Sequence, residues 1–170
     1  MNRESLYRKT VDILLDAYNN GTLISGNCYA CAVGNIIAAN MGMKITRTRV
    51  GAFNDLHWEG YPPYGSAWNR DSLKNWIVAI YCGCVYKERI VGEIKDQIES
   101  TGYTAEELAD IENNFEHPHL VIRESGENLY LRRLKAVLTT LKQIHSVEQV
   151  IAEESVERLE KVHKKLQLCE

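Results

Sequence analysis

The chain reads as all-α: a compact bundle of about six to seven helices, with one long aromatic-rich loop over residues 43–70 and little or no β-structure. Three observations predict this. Apolar residues recur at three- and four-residue spacing in most segments. Helix start signals stand at Asp71, Thr104 and Ser146. Strand-like alternation is confined to a weak pattern over Ile45 to Val50.

The first helix is expected from about Arg3 to Asn19, with Leu6, Thr10, Ile13, Leu14, Ala17 and Tyr18 on one face and Asn19-Asn20-Gly21 as its stop. The second is expected to begin near Cys28 and end at Gly42, a C′ glycine. Its Ala-rich composition and Gly34 predict burial all round. The irregular stretch that follows holds Phe53, Trp58, Tyr61, Pro62, Pro63, Tyr64 and Trp68. Long loops of this kind are uncommon in compact domains and are often functional. Asp71 is read as the cap of a helix carrying Leu73, Trp76, Ile77, Ile80 and Tyr81, which Cys82-Gly83-Cys84 ends or kinks.

A helix over about Glu88 to Ser100 follows. Thr104 with Glu107 forms a capping box, and Tyr103 is placed to staple against Leu108. That helix runs to about Phe115 and stops before Pro118, after which His119 to Arg123 is read as a short extended segment. The acidic residues Glu106, Glu107, Asp110, Glu112 and Glu116 are assigned to its solvated side. A further helix covers Leu129 to His145. Ser146 with Gln149 reads as a second capping box opening the last helix, about 147–168, which is charged and amphipathic and suited to dock or to mediate association.

The 170 residues are read as a single helical domain, 1–170. A chain of this size buries roughly 70% of its unfolded surface, so it needs no disulfide or metal to fold. A hydrophobic fraction of 45% and a charged fraction of 25% argue against disorder. The net charge of -3 offers no field for phosphate, so nucleic acid is not an expected partner. The densest basic cluster, Arg132, Arg133 and Lys135, reads as a solvated helix face. No apolar run is long enough to span a membrane. The polar start Met1-Asn2-Arg3-Glu4-Ser5 lacks a secretory h-region, and five cysteines are an odd number, so reduced thiols and a cytoplasmic address are expected.

Chemistry, if present, is expected around the cysteines. Cys28 and Cys31 have the gap of a zinc knuckle, and Cys82 and Cys84 complete a four-thiolate set for zinc. The simpler reading packs all four as small core hydrophobes, with neither metal nor cofactor. A turn at Gly26-Asn27, then Cys28 at a helix start, then a small-residue apolar helix resembles the nucleophile helix of papain-like cysteine peptidases. The resemblance spans about fifteen residues. It implies a Cys28 thiolate favoured by the helix N-terminus, with His119 or His57 as base. The family pattern sets that histidine on a strand of a β-sheet, and this chain supplies little strand. A separate candidate is a binding surface of Trp58, Tyr61, Tyr64 and Trp68, flat aromatics set among polar neighbours.

Three stretches together carry a broader resemblance: Cys28-Tyr29-Ala30-Cys31-Ala32-Val33-Gly34-Asn35, Thr101-Gly102-Tyr103-Thr104-Ala105-Glu106-Glu107-Leu108 through Ile111-Glu112, and Leu134-Lys135-Ala136-Val137 through Ile144-His145. On them the chain resembles a group of uncharacterised proteins of gut Bacteroides-type bacteria and their phages or mobile elements. The resemblance implies a bacterial or phage setting and no particular activity. The expected function is that of a small cytosolic helical module that binds a protein partner or itself, without catalysis.

Overall fold

The structure, a computed structural model, describes residues 2–27, 29–50, 53–59, 93–122 and 128–168. Its first helix, α1 (Arg3–Asn19), begins where the Asn2 side chain accepts a hydrogen bond from the Ser5 amide at 2.7 Å. Such a cap satisfies one of the four orphan donors of a helix start. Leu6, Tyr7, Val11, Leu14 and Leu15 form its buried face. The chain then turns at Gly21, whose φ of +67° suits glycine.

The second helix, α2 (Ala32–Asn40), is buried at every position from Ala32 to Ala38, as its composition predicts. It starts later than expected: Cys31, not Cys28, is the N-cap. The reason is local. The Asn27 carbonyl accepts from the Ala30 and Cys31 amides, while its side chain accepts from Tyr29 N–H at 3.0 Å. These bonds make a turn that delays the helix. Asn35, 4% exposed, points its amide at the Thr22, Ala30 and Cys31 carbonyls and so binds that turn to α2.

Within the stretch expected to be irregular, β1 (Ile45–Val50) pairs antiparallel with β2 (Phe53–Trp58), in register from Ile45 opposite Trp58 to Val50 opposite Phe53. This two-stranded ribbon is the only sheet among the described residues. The expected helix after Asp71 lies outside the described residues.

The remaining helices are α3 (Glu93–Thr101), α4 (Ala105–Glu116), α5 (Leu129–His145) and α6 (Gln149–Gln167). Gly102, with φ of +78°, links α3 to α4, and a Cβ there would meet Leu6 at 3.3 Å. The Thr104–Glu107 capping box is formed in both directions, at 3.1 and 2.8 Å. Pro118–Leu120 is a 3₁₀ turn rather than an extended segment. Proline pre-sets the φ that such a turn needs.

The second capping box is absent. Ser146 is left-handed, φ 53°, and closes α5, so it cannot adopt the extended backbone of an N-cap; Glu148 takes that place. Two surface assignments also change. Glu112 is 2% exposed, because it lies on the same stripe of α4 as the buried Leu108, Ile111 and Phe115. Arg133 lies across the Phe115 and Tyr130 rings and faces Glu116, while Lys135 reaches Glu160 at 3.0 Å. Their alkyl stems cover apolar surface, so the basic cluster is folded onto the protein.

One apolar core runs from Leu6 of α1 to Leu159 of α6, with Trp58, Tyr7, Tyr29 and Phe115 as its largest fully buried side chains. The last helix docks on α1 and α5. Its Arg158–Asp12 and Arg8–Glu154 pairs stand at the surface, where salt and side-chain entropy offset most of their attraction. Burial of Leu159, worth about 2–3 kcal/mol, outweighs either pair. Tyr18 adds a hydrogen bond to His163 Nδ1 at 2.8 Å.

Candidate functional site

The start of α2 is where titratable and nucleophilic groups converge. Cys31 is 4% exposed. Its Sγ accepts a hydrogen bond from the Gly34 amide at 3.3 Å, in the role of an N-cap oxygen. The neighbouring first-turn amide, Val33 N–H, donates to Glu112 Oε2 at 3.1 Å. The Glu112 carboxyl also hydrogen-bonds the Cys31 side chain. One turn along α4, Glu116 Oε1 accepts from the Gly26 amide at 2.8 Å and Oε2 faces Arg133 at 3.8 Å. Two carboxylates of α4 therefore hold the approach to α2 by its backbone.

Burial dominates the electrostatics. Loss of water pushes the Glu112 carboxyl up to about 7; the Val33 amide and the Cys31 thiol oppose the rise, Glu116 adds to it, and Arg133 opposes it. The positive end of α2 favours the anion as well. The Cys31 thiol acts as a hydrogen-bond donor to this carboxyl.

The hairpin covers the same region. Asn27 Nδ2 donates to the Leu56 carbonyl at 3.0 Å, and Trp58 Nε1 donates to the Tyr29 carbonyl at 2.9 Å. The Tyr29 and Trp58 rings meet edge-on at 5.2 Å. Trp58 is 1% exposed and presents no face to a partner, which corrects its assignment to a binding surface. It is large enough to fill the gap between hairpin and turn, and its N–H finds a carbonyl there. Tyr61, Tyr64 and Trp68 lie outside the described residues, as do Cys28, Cys82 and Cys84.

The two candidate bases lie on β2 and on the 3₁₀ turn. His57 is buried on β2, with Nε2 3.3 Å from Thr46 Oγ1 and Nδ1 lacking a hydrogen bond. His119 is exposed on the 3₁₀ turn, edge-on to His117 at 5.9 Å. Neither of these contacts involves Cys31. Among the described residues, no three His, Cys, Asp or Glu side chains converge as a metal would require. Likewise, no helix among them is long and apolar enough to cross a membrane.

Glu112 is the residue that reading the sequence missed, and a signal for it exists. It stands four residues after Leu108 and three before Phe115, at a core position of an amphipathic stripe. A carboxyl at such a position demands a buried partner.

A second buried polar group lies at the far end of α5. Tyr103 OH is 2.8 Å from both Thr10 Oγ1 and His145 Nε2. Burial lowers the basicity of His145; Glu107 opposes that and Arg3 reinforces it. Burial likewise pushes the Tyr103 hydroxyl up. These groups join α1 and α5 to the turn that precedes α4.

Fold and site define a small mainly helical protein with one docked hairpin and a sealed, acid-capped helix start. Comparison with known protein families, with curated proteins and with solved structures finds no match.

Proposed function

We propose that this chain is a helical binding module that acts through its surface and performs no chemistry at its cysteines. The observation that carries this reading is a groove of about 430 Å³ between α5 and α6. Leu138, Ala152 and Val156 supply its apolar part, and Lys142, Glu153 and Glu157 its charges. An apolar strip with a charged border is the usual form of a helix-accepting surface.

The groove carries both signs of charge, so two copies related by a twofold axis would set cation against carboxylate across one seam. A second copy of the chain is therefore its first expected occupant. The resemblance to Bacteroides-type and phage proteins supports a cytosolic, bacterial or phage setting.

Sedimentation velocity over a concentration series tests the reading. The wild type should move toward a dimer as concentration rises, and Ala152→Arg, which places a bulky charge in the groove, should remain monomeric with unchanged helicity. A wild type that stays monomeric throughout, or a variant that dimerises equally, contradicts it.

A further inference from the structure

The two carboxylates that hold the approach to α2 differ in one respect. Glu116 faces the Arg133 guanidinium and retains some contact with water. Glu112 is sealed at 2% exposure, and its nearest donors are a backbone amide and a thiol. Among the described residues, the ionisable groups around it are Cys31 from the cap of α2, Glu116 from its own helix and Arg133 from α5; residues Ala32–Asn40 of α2 carry none. Deprotonation in the closed state thus leaves a carboxylate sealed from solvent, and the Arg133 guanidinium, the described cation beside it, is engaged by Glu116, a costly arrangement.

We propose that Glu112 is a proton-operated latch: protonated, it holds the first turn of α2 closed on α4, and its ionisation loosens that turn and brings the Cys31 thiol to solvent. The proton passes to water as the carboxyl becomes hydrated, so opening and deprotonation are linked. The sign follows from the folded value of about 7 against an ordinary 4.5. The closed state binds the proton more tightly than the open one. Its advantage is complete below the ordinary value and is lost as pH rises through the folded value. Across that window the open fraction grows about tenfold per pH unit and levels off above about pH 7, a total of roughly a few hundred-fold. The latch gives the otherwise sealed Cys31 a pH-dependent exposure.

Hydrogen exchange on the full chain between about pH 5 and pH 8, corrected for the intrinsic pH dependence of exchange, tests the latch. Protection of the Val33 and Gly34 amides should fall about tenfold per pH unit up to about pH 7 and then level off, while residues 131–141 of α5 hold theirs. Glu112→Gln, similar in shape and without a proton to lose, should give protection independent of pH. Glu116→Gln should keep the slope. The latch is overturned if Val33 and Gly34 follow α5, if Glu112→Gln keeps the slope, or if the slope disappears with Glu116 instead. Should Glu112→Gln fail to fold, the wild-type comparison with α5 and the Glu116 variant still decide.

Discussion

His145 brings an imidazole into the core on the last turn of α5, where Tyr103 takes its Nε2 and Nδ1 has no partner. The helix C-terminus favours a cation there, but burial prevails and holds the ring neutral. Its folded pKa lies below the ordinary 6.5, so the unfolded chain binds the extra proton. The stability this group contributes is present above about pH 6.5 and is lost as pH falls through the folded value. Glu112 works in the opposite sense over an overlapping range, which flattens the wild-type profile. His145→Gln should keep a hydrogen bond to Tyr103 and remove this acid-side loss. Urea midpoints at a series of pH values would show it, and an unchanged acid limb in the variant would refute the assignment. At this scale the sequence was least readable. His145 and Glu112 are polar residues at core positions, and only three-dimensional neighbours such as Tyr103 and the Val33 amide explain why each is tolerated.

Elements whose signals are local were read correctly. The Asn19-Asn20-Gly21 stop closes α1, and the Thr104–Glu107 box opens α4. Thr104→Ala removes the Thr104 hydroxyl from this reciprocal pair and should cost about 1 kcal/mol. A shift in thermal unfolding with unchanged native helicity would confirm it; no shift would mean that the box contributes little. Elements decided by competition were misread. Ser146 and Gln149 have the spacing of a box, yet the reversal between α5 and α6 needs a left-handed residue, and Ser146 fills that role. The Asn27 turn likewise displaced the start of α2 from Cys28 to Cys31. The second strand depends on pairing with the first, a non-local gain that a six-residue segment does not display by itself.

For the molecule as a whole, periodicity sufficed to predict a mainly helical class, because the described helices bury their apolar residues in a shared core, α2 from Ala32 to Ala38 on all sides. The site was legible only as a region. The sequence drew attention to the cysteine-bearing segment ahead of α2, where folding makes Cys31 a cap beside a buried acid; Cys28, the residue read as a nucleophile, lies outside the described residues. Trp58 was likewise drawn inward by the hairpin, where its ring meets Tyr29 edge-on. The measurement that tests this account most directly is site-resolved alkylation of Cys31 in the native protein across pH, against the same residue in the denatured chain. The account predicts that native Cys31 reacts far more slowly than the denatured control at every pH, with a rate that rises more steeply with pH than the control. A native Cys31 that reacts as fast as the control, and holds that rate under acidic conditions, would mean an accessible, stabilised thiolate and contradict it.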